Sequence, residues 1–240
     1  MRPTCASRAD PADLSHIVLF DIDGTLVLTG GAGGRAMGRA FHDVFQIASG
    51  FDGIAMPGRT DLSIIREAFD RAGLAHGDDR FGRFCERYCQ RLAEALGEPD
   101  TRTRVMPGVR ELLDALQVRA DVFVGLLTGN LAASARLKLE DAGLWRYFRC
   151  GAFGEDAADR NALLPLAVAR ARSQGAPPVP PERVIVVGDT PLDVACAAAS
   201  GARSVAVATG SADPATLRAS GADVVFEDLS DTAAFLTLLD

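Results

Sequence analysis

A chain of 240 residues, 48% apolar and 24% charged, has room for one large α/β domain or for a main domain with a small insertion. No apolar run approaches the ~20 residues that span a bilayer, and the opening "MRPTCASRADPADLS" lacks the ~7–15 residue apolar stretch of a signal peptide. Membrane insertion and secretion are set aside, and a cytoplasmic location is expected. The formal charge of -7 argues against a general nucleic-acid surface, while leaving room for a local basic pocket that takes a small anion.

In chain order, the run "IVLF" at 17–20 reads as a buried strand that ends in two acids, Asp21 and Asp23, followed by Gly24. From about Gly31 to Arg104 no strand is convincing. Three amphipathic helical stretches take its place, "GRAMGRAFHDVFQ", "DLSIIREAFDRAG" and "FGRFCERYCQRLAEALG", separated by Gly and Pro punctuation. The pattern then alternates. The helix "GVRELLDALQ" precedes the strand "VFVGLLT" at 122–128, and "NLAASARLKLEDAG", closed by Gly143, precedes a strand in "FRCGAF". "RNALLPLAVARARS" leads through the connector "GAPPVPPER" to the strand "RVIVVGD" at 183–189. "PLDVACAAASG", closed by Gly201, then precedes "SVAVAT" at 204–209 and a further strand in "ADVVF". Strand and helix in alternation imply right-handed βαβ units, an α/β fold with a Rossmann-like parallel sheet, and a ligand site beyond the C-terminal strand ends. Residues 1–29 and 105–240 are expected to form that core and 30–104 an inserted small α-helical domain. Glycines and a proline near 28–34 and 102–108 sit where a hinge would.

Five cysteines (Cys5, Cys85, Cys89, Cys150, Cys196) form an odd number with no CxxC pair, which fits reduced thiols better than a disulfide framework. Cys85 and Cys89 share a helical face, but no second ligand cluster accompanies them, so they read as small buried apolar residues. Basic charge is almost all arginine, 24 residues against the single lysine Lys138. The histidines His16, His42 and His76 have no visible partners and read as structural or exposed.

In one parallel sheet, Asp21, Asp23, Thr128, Asp189 and Asp193 emerge at the same edge. Carboxylates converging there repel unless a cation sits among them. Oxygen-only ligation favours Mg²⁺ and disfavours zinc. Asp21 is the candidate nucleophile toward phosphorus and Asp23 the candidate acid and base, with Gly24 allowing a sharp bend. Thr128 offers a hydroxyl to a phosphate oxygen, and Gly129 and Asn130 open a helix whose N–H groups point at an anion. For the balancing cation, Arg160 is expected at a helix start on the active edge. Lys138, about eight residues into its helix, is expected roughly 12 Å below that edge at ~1.5 Å per residue. Purely structural readings compete: strand-end caps for the two acids, an N-cap for Thr128 and Asn130, a first-turn acid for Asp193 and a solvated helix start for Arg160.

"FDIDGTL", "LLTGN" and "VVGDTPLDV" resemble the first, second and fourth motifs of the haloacid dehalogenase superfamily of phosphohydrolases, and together they span nearly the whole chain. The resemblance implies a phosphorylated Asp21, an acid/base Asp23 and a phosphate-binding Thr128. It also implies Mg²⁺ held by Asp21, the Asp23 backbone carbonyl and Asp189, with Asp193 assisting directly or through water. The third motif usually offers a lysine. Here Arg160 in "DRNAL" stands there, able to neutralise and hydrogen-bond a phosphoryl group, with Lys138 as the fallback. The helical insertion resembles the cap of the phosphoglycolate phosphatase and β-phosphoglucomutase branch, which closes over substrate. Within it, "PGRTD" places Arg59 and Thr60 as candidate substrate contacts. Arg59 would either meet a substrate carboxylate or stand as a solvated helix-start charge. The resemblance implies a Mg²⁺-dependent phosphatase for a small phosphorylated metabolite of the phosphoglycolate kind. A phosphomutase of the β-phosphoglucomutase type, or a phosphatase for sugar phosphates, nucleotides or pyrophosphate, is the alternative.

Overall fold

The computed structural model describes residues 16–98 and 103–240. The expectations for Cys5, for the opening segment and for Arg102 at the second crossing lie outside the described residues. The strand that opens the pattern, β1 (His16–Phe20), has every residue buried, as a continuous β-branched and aromatic run requires when both faces of a sheet are covered. After β2 (Val27–Leu28) come three helices, α1 (Ala32–Phe45), α2 (Asp61–Arg71) and α3 (Asp78–Leu96), and then β3 (Arg104–Val105). The alternation resumes with α4 (Val109–Gln117), β4 (Val122–Leu127), α5 (Ala132–Asp141), β5 (Gly151–Ala152), α6 (Leu163–Ser173), β6 (Val184–Gly188), α7 (Pro191–Ala199) and β7 (Arg203–Val207). It closes with α8 (Pro214–Ala219), β8 (Val224–Phe226) and α9 (Thr232–Leu236).

Six strands form one parallel sheet in the order β5-β4-β1-β6-β7-β8. β1 is therefore central, with Phe20 level with Leu126 on one side and Val187 on the other. Strand periodicity sends Val18 and Phe20 to the face covered by Leu112, Leu116, Leu139 and Phe235. Ile17 and Leu19 point to the opposite face, against Leu163, Ala167 and Ala197. The "FRCGAF" strand shortens to Gly151–Ala152, an edge strand paired only with β4.

The helical insertion has a core of its own around Phe41, Ile65, Phe69, Phe84, Tyr88 and Leu92. Phe41 stands edge-on to Phe45 and Phe51, with ring centroids 4.9 and 5.3 Å away. Leu131, from the loop before α5, belongs to that cluster and ties the insertion to the sheet. The two crossings are not bare hinge segments: β2 and β3 pair antiparallel, Val27 with Val105 and Leu28 with Arg104. Among the described residues, no helix is long and apolar enough to cross a membrane.

Candidate active site

Three buried acids meet at the C-terminal edge of β1 and β6. One carboxylate oxygen from each of Asp21, Asp189 and Asp193 lies within 4.8 Å of the others. The Asp21 N–H donates to Val187 O at 2.9 Å, which carries the β1–β6 register on to Gly188, one residue before Asp189. Gly24 then turns the chain away with φ +80°, and any Cβ there would lie 2.4 Å from Asp189 Oδ2. Only glycine permits both the turn and the carboxylate. Asp193 sits in the first turn of α7, where its Oδ2 accepts from the Thr190 N–H at 3.0 Å and from the Thr190 hydroxyl at 2.7 Å. It is thus both a helix-capping acid and a member of the cluster. Burial, augmented by Asp21 and then Asp193, pushes Asp189 up to about 8. Burial also pushes Asp21 up to about 6, against the pull of Arg160.

Arg160 reaches the same point from the short turn before α6. Its Nη2 lies 3.2 Å from Asp21 Oδ2 and bonds Asp193 Oδ1, while Nη1 donates to Gly58 O of the insertion at 3.0 Å. Burial works against its charge, and Asp193 and Asp21 more than restore it, so its pKa is raised. This is a buried ionic partner of the acids and not a solvated helix-start residue.

Lys138 does not lie 12 Å below the edge. Its Nζ donates to Asp23 Oδ2 at 2.6 Å, Asp23 Oδ1 at 2.8 Å and Asn130 Oδ1 at 2.7 Å. Counting helical rise places only the Cα. Side chains on a helix point back toward its N-terminus, and α5 begins at Ala132, two residues later than Asn130. Asn130 Nδ2 donates to Asp23 Oδ2 at 2.8 Å and to the Thr128 hydroxyl at 2.9 Å. Against burial, Arg160 and then the Thr128 hydroxyl favour the ionised Asp21 carboxylate.

The Leu131 and Ala132 N–H groups at the start of α5 meet carboxylates of the protein. Leu131, its N-cap residue, has no side-chain acceptor. Asp61 Oδ2 accepts from the Leu131 N–H at 2.9 Å, and the Glu155 carboxylate accepts from the Ala132 N–H at 3.0 and 2.9 Å. Two protein carboxylates therefore cap α5, while the Asn130 N–H just before it donates to the Thr128 hydroxyl at 3.3 Å. Gly129 serves the insertion as well: its carbonyl accepts from the Asp61 N–H at 2.7 Å, and a Cβ on it would lie 2.0 Å from Arg59 O.

The loop "PGRTD" docks against these residues, and its side chains are engaged within the protein. Thr60, 1% exposed, is the N-cap of α2: its hydroxyl accepts from the Ser63 N–H at 3.2 Å and donates to Ala158 O at 2.9 Å. It has no reach left for substrate. Arg59 lines the cavity but pairs with Glu67 at 2.6 Å and donates to Ala55 O and Ser63 O, so its guanidinium is internally engaged. Sequence reasoning missed Asp61 as a lock between insertion and sheet. An acid after Thr at a helix start looks like an ordinary first-turn acid, and its partner lies 70 residues away. His76 pairs with Asp70 at 2.6 Å and has a partner that its sequence context does not reveal.

A cavity of about 410 Å³ opens between insertion and sheet edge, with Asp21, Asp23, Asp189, Arg160 and Lys138 at its polar end. Leu28, Met37, Met56, Ile64 and Tyr88 line its other side. The family profile of haloacid dehalogenase-like hydrolases matches residues 16–201, a span that contains the whole constellation. The chain is a haloacid dehalogenase-like hydrolase. It is 31% identical over 232 residues to a phosphoglycolate phosphatase of Chromobacterium violaceum, covering 91% of this chain and 96% of that one. A phosphoglycolate phosphatase of Rhodospirillum rubrum is 30% identical over 226 residues, covering 91% of this chain and 90% of the other. A solved hydrolase from Pseudomonas syringae shares the fold, with TM-score 0.67 at 22% identity over 93% of this chain and 98% of that one. With these relatives along nearly its whole length, this haloacid dehalogenase-like hydrolase is a phosphoric monoester hydrolase.

The donor set suits a hard divalent cation. Three buried carboxylates held this close share the single guanidinium of Arg160, and burial with mutual repulsion still raises Asp189 to about 8, so as anions they call for further positive charge. All their donors are oxygen, the chemistry Mg²⁺ prefers.

Proposed function

We propose that the chain hydrolyses a small phosphomonoester of the phosphoglycolate kind, with Mg²⁺ as cofactor and through an aspartyl-phosphate on Asp21. The observation that carries this reading is the division of environment between two acids two residues apart. Asp21 is buried in the acidic cluster beside Arg160, while Asp23, with its side chain 44% exposed, faces the cavity and is held by Lys138.

Asp21 attacks phosphorus as the bond from phosphorus to the alcohol oxygen breaks, and the Asp23 carboxyl gives its proton to that oxygen. After the alcohol leaves, Asp23 takes a proton from water. The resulting hydroxide attacks phosphorus, phosphate departs and Asp21 is restored. Asp21, Asp189 and the Asp23 backbone carbonyl would hold Mg²⁺. Asp193, whose oxygens already serve Thr190 and Arg160, would assist directly or through water. The ion supplies neutralising charge that lets an anionic nucleophile approach an anionic phosphoryl group. Arg160 lines the cavity and retains a buried Nε without a protein partner among the described residues, a donor suited to a phosphoryl oxygen. The helical insertion at 30–104 would act as the cap that shuts water out, its loop at Gly58–Asp61 already seated on the sheet loops. The absence of paired cysteines in the sequence fits a cytoplasmic setting.

A kcat/KM screen with Mg²⁺ over phosphoglycolate, sugar phosphates, nucleotides and pyrophosphate tests the substrate class. Phosphoglycolate is expected among the best. Conversion of β-glucose 1-phosphate to the 6-phosphate, with no net phosphate release, would overturn hydrolysis in favour of mutase chemistry.

A further inference from the structure

The one lysine in the chain is 4% exposed and lines the reaction cavity. Its three N–H bonds match three acceptors, two on Asp23 and one on Asn130, so none is left over for a phosphoryl oxygen. Arg160 bonds Asp21 and Asp193 instead. The two cations therefore divide between the two reacting acids and do not compete for one task.

We propose that Lys138 is a positioning residue for the leaving-group side of the reaction: with Asn130, it fixes the Asp23 carboxyl where the bridging oxygen of the ester departs. This rests on the reading of Asp23 as proton donor. Asp23 is half exposed on a short side chain, and without Lys138 only Asn130 would restrain its rotation. The proton itself passes from Asp23 to the alcohol oxygen and returns from water in the second step, and Lys138 gives up none. Asn130 Nδ2 also donates to the Thr128 hydroxyl at 2.9 Å, so the side chain that shares Asp23 with Lys138 is itself tied to the residue at the end of β4. The site is shaped for an ammonium. Its three N–H bonds converge on acceptors from two side chains, a geometry that a planar guanidinium on a longer stem does not reproduce.

The test compares kcat/KM for phenyl phosphate and 2,4-dinitrophenyl phosphate, with Mg²⁺, in the wild type, Lys138→Met, Lys138→Arg, Asp23→Asn and the double variant Lys138→Met with Asp23→Asn. This parameter reports the steps up to departure of the phenol, and the ratio of the two substrates is unaffected by any unfolded fraction. An acidic dinitrophenol needs little protonation, whereas phenol needs much. Lys138→Met is expected to lose roughly a hundredfold more on phenyl phosphate than on the dinitrophenyl ester. Lys138→Arg should share that bias, and the double variant should add less than about threefold to the bias of Asp23→Asn. If Asp23→Asn shows the bias and Lys138→Met loses both substrates equally, Lys138 is a structural or phosphate-binding residue and the proposal is overturned. If Asp23→Asn shows no bias, the proton-donor reading fails and the role of Lys138 falls with it.

Discussion

Asp61 of the insertion accepts from the Leu131 N–H of the sheet domain at 2.9 Å and donates its own N–H to Gly129 O at 2.7 Å. Two backbone segments from different parts of the chain are thus locked by one residue. Burial raises its carboxyl from 3.8 to about 7, against the pull of Lys138. Below the ordinary value both folded and unfolded chains hold the proton, and Asp61 contributes nothing. As pH rises from 3.8 toward 7 the unfolded chain ionises first, so stability falls, and above about 7 the full loss is felt. Asp61→Asn keeps an acceptor for Leu131 without the charge. It should raise thermal stability above pH 7 by up to about 4 kcal/mol, with the gain vanishing below the ordinary carboxyl range. Parallel melting curves for wild type and variant across that window would contradict the assignment.

Asp189 carries the corresponding prediction for the metal. Burial first, then Asp21 and Asp193, raise it to about 8, so the metal-free protein at neutral pH holds a strained acidic cluster. Asp189→Asn should stabilise the metal-free chain while removing the stabilisation by Mg²⁺. In the wild type that stabilisation is expected to reach about 2.7 kcal/mol at roughly a hundredfold excess over Kd. Melting with and without Mg²⁺ measures both effects, and an unchanged Mg²⁺ response in Asp189→Asn would place the ion elsewhere.

Arg160 joins the acids to the insertion through Gly58 O. Arg160→Met leaves Asp21 and Asp193 buried without their cation and should cost roughly 3–5 kcal/mol of stability. Arg160→Lys keeps charge but loses the fork and should retain the fold with raised KM. Unfolding midpoints and steady-state kinetics on the two variants separate these outcomes, and a fully stable Arg160→Met would show that the ion pair carries little weight.

The sheet and the acids at its edge are legible in the sequence because "IVLF", "VFVGLLT" and "RVIVVGD" are apolar runs whose polar ends must share an edge once the strands are parallel. The helices of the insertion announce themselves by period. What escapes is side-chain direction and pairing across long separations. Lys138 looks remote when Cα rise alone is counted, yet its four-carbon stem folds back to Asp23. Thr60 and Arg59 stand at a helix start, where an N-cap, an internal ion pair and a ligand contact have the same local signature. Only the partners Ala158 and Glu67 decide between them. By its sequence Asn130 opens a helix, but the helix starts at Ala132, and its apolar N-cap Leu131 requires acceptors from Asp61 and Glu155 that no local pattern reveals.

In the proposed reaction Asp21 carries the phosphoryl group between the two half-reactions. Acid quenching within the first turnover with phosphoglycolate and Mg²⁺, followed by peptide mass spectrometry, measures it directly. One phosphoryl group is expected on the peptide containing Asp21, and none in Asp21→Asn. Undiminished phosphate release by Asp21→Asn, or a phosphoryl group on any other residue, would contradict it.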